Sequence, residues 1–289
     1  MTNPAMTSPG MTGTREASVI RRPPYRFDGY ALDLDGTVYL DDHLLPGAAE
    51  TIARIRSGGS AVVFATNKPL ESAEAYATKL RRLGVAAERG DIVTAVDSVL
   101  VHLRRNHQGA RLLTIAEPLV DQTCVEAGFE VVTDPERADV VLVSFDRGFS
   151  YAKLLAAYRA VRRGAVIVAT NPDPYCPTGD GGLPDCAAML AALEACTGRT
   201  AEVVAGKPSR LMGDALVERL GVAPERAAMV GDRLTTDVAM GQRMGMVGVL
   251  VLSGATTAAD LATSAVHPDF VIDGLADLLP ATPDDRGDR

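Results

Sequence analysis

The chain has 289 residues and a formal net charge of −8, with a sequence pI near 5.1; this length points to about two domains, and this balance argues against a general nucleic-acid binder. Its four cysteines, Cys124, Cys176, Cys186 and Cys196, show no CxxC spacing and its four histidines form no HExxH, so free thiols are expected rather than a zinc site. Apolar runs such as residues 246–252 are far too short to span a bilayer and the N-terminal residues lack a signal-peptide core, so a cytoplasmic location without membrane contact is expected.

Residues 1 to about 26 are rich in Met, Thr, Pro, Ser and Arg without periodicity and are expected to form a disordered tail, with Arg21 and Arg22 solvated. The strand-like run Tyr30-Ala31-Leu32 then ends in Asp33-Leu34-Asp35-Gly36-Thr37-Val38. Residues i and i+2 of a strand face one side, so Asp33 and Asp35 can reach a sheet's carboxyl edge together, where open α/β sheets bind ligands. Two close carboxylates stay ionised together only if a cation or proton compensates. Gly36 permits a sharp exit, and the N–H groups after it can cradle an anion. The pattern suits an aspartyl nucleophile beside a second carboxylate and a hard divalent cation. An EF-hand loop is excluded because Val38 and Leu44 stand where its Gly and Glu belong. Asp-Gly after a strand is also a common turn, so the downstream residues have to decide.

Helices are expected over 47–56, 71–83 and 95–105, with a strand at 61–65 that runs into Thr66-Asn67-Lys68-Pro69. Residues 106–204 carry their own alternation, with strands at 111–116, 140–143 and 165–169 and helices at 118–127 and 151–163. Residues 171–187 look like a binding loop, rich in Pro, Gly and ionisable side chains. Val203-Val204-Ala205 then leads into Gly206-Lys207-Pro208-Ser209 and a helix to 220. Ala227-Ala228-Met229-Val230 leads into Gly231-Asp232-Arg233-Leu234-Thr235-Thr236-Asp237 and a helix to 244. Alternating strands and helices signify an α/β fold with a parallel sheet covered on both faces. Taken singly, Thr66 or Asn67 is a helix cap, Lys207 a surface charge and Gly231-Asp232 a turn; all of them at strand exits, in this order, point to one site. Gly206-Lys207 is no P-loop, since Ala201 and Pro208 break its pattern, and no GxGxxG occurs near 179–182 or 241–248.

The order DxDGT, Thr, Lys, GDxxxxD resembles the haloacid dehalogenase-like (HAD) superfamily across nearly all of residues 27–279. Leu45-Pro46-Gly47-Ala48, Ala169-Thr170-Asn171-Pro172-Asp173, Gly198-Arg199 and Val251-Leu252-Ser253-Gly254 make it similar to the NagD-like phosphatases, which include pyridoxal phosphate, phosphoglycolate and glycerol-3-phosphate phosphatases. The resemblance implies a Rossmann-like core at 27–105 and 205–280, an inserted α/β cap at 106–204 and a tail from 281. It further implies a Mg²⁺-dependent phosphatase acting on a small phosphorylated metabolite. In that scheme Asp33 is the nucleophile and Asp35 the acid and base. Thr66, Asn67 and Lys207 hold the phosphoryl group. The Asp33 carboxylate, the Asp35 carbonyl and Asp232 hold the metal, and Asp237 orients a metal water or Lys207. Lys68 stands where many relatives have Asn and is expected to vary or face solvent. Asp185 and Ala187 stand where glycine is usual. Asp146, Arg147, Asp173 and Asp185 are therefore candidates for contacts from the cap to the leaving group, and a homodimer through the cap is a further expectation. Phosphoryl transfer between hydroxyls on the same scaffold stays open, as does a catalytically silent phosphate-binding module, against which the full set of carboxylates and Lys207 argues.

Overall fold

The structure, a computed structural model, describes residues 20–176 and 182–280. Most of the expected N-terminal tail, the acidic tail from 281, and Pro177, Gly179 and Gly181 of the expected binding loop lie outside the described residues.

The chain begins with β1 (Gly29–Asp33), the short pair β2 (Tyr39–Leu40) and β3 (His43–Leu44), α1 (Ala48–Ser57), β4 (Ala61–Thr66), α2 (Ala73–Arg82), β5 (Ile92–Thr94) and α3 (Ala95–Asn106). It continues with β6 (Arg111–Ile115), α4 (Pro118–Glu126), β7 (Glu130–Val131), β8 (Val140–Val143), α5 (Tyr151–Arg162) and β9 (Val166–Ala169). Next come β10 (Tyr175–Cys176), β11 (Leu183–Pro184), α6 (Cys186–Thr197), β12 (Val203–Val204) and α7 (Arg210–Leu220). It ends with β13 (Ala227–Gly231), a π turn over Leu234–Val238, α8 (Ala239–Met244), β14 (Val247–Val251), α9 (Ala258–Thr263) and β15 (Phe270–Ile272).

Two parallel sheets organise these elements. The first has the order β15-β14-β13-β1-β4-β5. Every residue of β1 is buried, as expected for a central parallel strand covered on both faces. Alternate residues feed two cores: Tyr30, Leu32, Phe64 and Val230 pack with α1 and α2, while Ala31, Val63, Ala65 and Met229 pack with α7 and α8. From β1 the chain proceeds to β4 and β5 on one side and later to β13 on the other, so the strand order reverses between β1 and β13. A crevice opens at the carboxyl ends of the strands at such a reversal.

The second sheet has the order β12-β9-β8-β6-β7. Its Leu113, Val141 and Ile167 face α5 and α6, and its Leu112, Leu142 and Val168 face α3 and α4. One placement differs from the division at 105. Helix α3 lays Val96, Val99, Leu100 and Leu103 on the second sheet; β12, which leads to Lys207, lies within the 106–204 segment and pairs with β9. Periodicity marks a buried face but not the sheet that buries it.

The expected N-terminal tail extends too far. Arg21 exchanges main-chain hydrogen bonds with Val271 (2.7 and 3.0 Å), and Arg22 pairs with Asp277 at 2.6 Å. Helix α6 was not expected. Its sequence CAAMLAALEACT is apolar nearly all round and shows little amphipathic period. The four cysteines form no disulfide; burial pushes the Cys124 thiol up to about 12 and Cys186 up to about 11. No helix among the described residues is long and apolar enough to cross a membrane.

Candidate active site

The crevice between β1 and β13 is where the sequence motifs meet. Parallel pairing sets Leu32 beside Val230, so Asp33 at the end of β1 and Asp232 just past β13 emerge together. After Asp33 the chain turns through Gly36 at φ 84°, a conformation that strongly favours glycine. Ser253 Oγ donates to the Gly36 carbonyl at 2.7 Å. A Cβ at Gly36 would lie 2.6 Å from Asp232 Oδ2, and one at Gly254 would overlap the same carboxylate. Two loops without side chains at those points therefore close around Asp232, whose Oδ2 accepts from the Ala255 N–H at 2.6 Å.

Lys207 Nζ donates to Asp33 Oδ1 and to Asp237 Oδ1 at 2.7 Å. Asp237 is positioned by the π turn, where its Oδ2 accepts from the Arg233 N–H at 3.1 Å. All four of Asp33, Asp232, Asp237 and Lys207 are buried. Asp35 is half-buried; Lys68 Nζ reaches its Oδ1 at 3.1 Å, while its Oδ2 is enclosed without a hydrogen-bond partner. Lys68 thus points into the cleft rather than to solvent.

Asn67 is a latch. Its Oδ1 accepts from the Lys207 N–H at 2.8 Å, and its Nδ2 donates to the Lys207 carbonyl at 3.2 Å and to Asp173 Oδ2 at 2.9 Å. The side chain expected to hold a phosphoryl oxygen is therefore committed, and any such contact falls to the Asn67 main chain. Thr66 Oγ1 accepts from the Lys68 N–H at 3.1 Å, which leaves its own hydrogen to donate.

The second unit forms the opposite wall. Asn171 Nδ2 donates to the Asn67 carbonyl at 3.2 Å, and Asp173, Tyr175, Cys176 and Asp185 line the cleft with the first unit's residues. Asp185 is buried and caps α6, its Oδ1 accepting from the Cys186 N–H at 2.5 Å. Arg233 lies across Tyr175, its guanidinium carbon 5.4 Å from the ring centroid, and donates to the Tyr175 carbonyl at 3.3 Å.

Asp146 and Arg147 are not brought to this cleft. Asp146 pairs with Lys153 at 2.6 Å and accepts from the Gly148 N–H, and Arg147 pairs with Glu117 at 2.8 Å. The sequence assigns Arg233 and the Ser253–Ala255 loop no role of their own; their signal is adjacency, Arg233 beside Asp232 in one motif and Ser253-Gly254 inside a segment similar to the NagD-like phosphatases.

Charge in the cleft is unbalanced. Six carboxylates (Asp33, Asp35, Asp173, Asp185, Asp232, Asp237) face three cations (Lys68, Lys207, Arg233). Burial raises the Asp33 carboxyl well above the usual range; the Lys207 ammonium opposes this and Asp237 and Asp232 add to it. Burial, then Asp237, pushes Asp232 up to about 6. Burial works against the Lys207 ammonium, but Asp237 and Asp33 outweigh it and hold its pKa above the lysine range. Carboxylate oxygens of Asp33, Asp232 and Asp237 lie within 4.8 Å of one another. An excess of buried carboxylate oxygens, in a cradle kept open by Gly36 and Gly254, fits a hard divalent cation.

The model of haloacid dehalogenase-like hydrolases matches residues 30–130, and a related model described as HAD-hydrolase-like matches 204–278. The sugar-phosphatase AraL of Bacillus subtilis is 32% identical over 251 residues, which cover 86% of this chain and 91% of that protein. Among solved structures, a 4-nitrophenylphosphatase from Thermotoga maritima superposes with a TM-score of 0.81 at 38% identity, over 87% of this chain and 95% of its own. NagD from Escherichia coli K-12 gives 0.79 at 28%, over 89% and 100%. A glycerol phosphate phosphatase from Mycobacterium tuberculosis in complex with magnesium gives 0.79 at 32%, over 88% and 77%.

Proposed function

The chain belongs to the haloacid dehalogenase-like hydrolases, in their NagD-like subgroup, and from that membership we propose that it is a phosphatase that hydrolyses small phosphate monoesters of the sugar phosphate or glycerol phosphate class through an aspartyl-phosphate. The observation that carries this is the set of Asp33, Asp35, Lys207 and Asp232 gathered at one strand-order reversal.

The Asp33 carboxylate oxygen attacks phosphorus, and the bond from phosphorus to the ester oxygen breaks. Asp35, two residues further on, gives its proton to the departing alkoxide and then takes one from the water that attacks the aspartyl-phosphate. Phosphate leaves and Asp33 is regenerated. Lys207 meets the negative charge of the phosphoryl oxygens, and Asp237 keeps its ammonium pointed at them. The Thr66 hydroxyl and the Asn67 main chain hold the remaining oxygens. Asp33, Asp232 and the Asp35 carbonyl would hold Mg²⁺, whose charge would offset the excess of carboxylates as a dianionic phosphate enters.

We read the second α/β unit as the cap. It contributes Asp173, Tyr175, Cys176 and Asp185 to the wall facing Asp33, so it touches the leaving group while the first unit handles the phosphoryl group. The test is a screen of phosphorylated metabolites and a generic aryl phosphate, read as phosphate release with and without Mg²⁺. Turnover of sugar or glycerol phosphates supports the reading, and an inert protein across the whole set overturns it.

A further inference from the structure

His102, His107 and Glu202 take no part in the chemistry described above. Glu202 directly precedes β12 and its N–H donates to the Ile167 carbonyl at 2.8 Å, which fixes it at the amino edge of the second sheet. The cleft lies at the carboxyl edge, beyond the Asn171 and Gly206 ends of β9 and β12. None of the three residues lines it.

Their convergence is produced by the end of α3. Five residues along a regular helix turn the side chain by about 140° from the starting face, so His102 and His107 would point apart. His107 is the C-cap at φ −135° and ψ 44°, and this departure from helical geometry swings its ring back to 5.5 Å from that of His102. Both Nε2 atoms then meet the same oxygen, Glu202 Oε1, at 2.9 and 2.8 Å. The donor atoms of the three residues lie within 4.8 Å of one another. His102 is buried, and the Glu202 side chain is 40% exposed, so water can complete a coordination shell.

We propose that His102, His107 and Glu202 form a second metal site, for a divalent transition ion of the zinc class. Two imidazoles and one carboxylate are a borderline donor set suited to such an ion, whereas Mg²⁺ seeks oxygen. Bonds of about 2.0–2.2 Å in tetrahedral array hold ligand atoms about 3.3 Å apart, so the present contacts need open by only a few tenths of an ångström. Each ring would bind through Nε2 and keep its proton on Nδ1. For His102 that nitrogen faces Asn106 Nδ2 at 3.1 Å, which also donates to the His102 carbonyl at 3.2 Å, so the Asn106 side chain would turn aside as the ring takes the metal. The ion would pin the end of α3 to the start of β12.

The test uses Co²⁺ as a spectroscopic probe on the full chain in excess Mg²⁺, which occupies an oxygen-rich catalytic site. One equivalent of Co²⁺ should give visible bands of nitrogen-ligated, low-coordinate cobalt, displaced by Zn²⁺. Asp232→Asn should keep them. His107→Asn and Glu202→Gln should weaken binding at least about a hundredfold, since even outer-shell changes cost ten- to a hundredfold; Glu202, being exposed, tolerates substitution if His107→Asn does not fold. Absence of such bands in the wild type, their loss in Asp232→Asn, or wild-type affinity in a folded ligand variant would overturn the proposal.

Discussion

Asp185 joins two roles in one side chain, since it caps α6 and adds a carboxylate to an already acidic cleft. Burial pushes its carboxyl up to about 6, with the Cys186 N–H opposing and Asp173 adding. A carboxyl whose pKa is raised on folding binds its proton more tightly in the native state. Its favourable contribution is therefore complete below the unfolded pKa and is lost as pH rises through about 6. Asn caps a helix as well as Asp does and carries no charge. Asp185→Asn should stabilise the protein at pH 8 by up to ~3 kcal/mol, with the gain vanishing below about pH 4. Urea unfolding at both pH values measures this, and an equal effect at both would contradict it. The sequence marked Asp185 as unusual but not as a cap, because the helix it opens was hidden. For Asn67 the sequence marks the position, and only the crossing of Lys207 past it shows that its side-chain amide is already used. Asp35 and Asp232 should separate in metal titrations. Asp232→Asn should weaken Mg²⁺ binding directly. Asp35→Asn should spare much of that affinity while slowing turnover of poor leaving groups by about two to four decades. Equal metal affinity in both variants would contradict the assignment.

At the scale of elements, the catalytic strands were legible because both faces of β1, β4 and β13 are covered and their sequences run apolar up to a polar exit. What was not legible was the placement of α3, which the division at 105 assigns to the first unit and which packs on the second sheet. Val203-Val204, at the end of the 106–204 segment, pairs with β9, so Lys207 arrives from the second unit and crosses to the first. Asn67 spans that crossing with hydrogen bonds to both main-chain groups of Lys207. Asn67→Ala would leave a buried N–H unpaired, at a cost of about 1–3 kcal/mol, and let the ammonium drift. A shift of an ångström at a reacting centre can cost about a hundredfold in rate, so kcat should fall by about that factor with Mg²⁺ affinity unchanged. Steady-state kinetics beside a metal titration checks it; a kcat within threefold, about RT, of the wild type would show that Lys207 is held without the latch.

For the whole molecule, both α/β units line the cleft, and its excess of carboxylates over cations underlies the proposed dependence on a divalent ion. Exhaustive chelation should abolish turnover and Mg²⁺ should restore it, because a phosphate dianion would otherwise meet a net negative wall. Full activity after chelation would contradict this. The central claim is that Asp33 becomes phosphorylated. Asp35→Asn with an aryl phosphate tests it most directly, since this leaving group needs little protonation and the variant lacks the base that clears the intermediate. Acid quench during turnover, borohydride reduction and peptide mass spectrometry should find homoserine at position 33. An unchanged Asp33 in a variant that is still releasing phosphate, or homoserine at another carboxylate, would contradict the account.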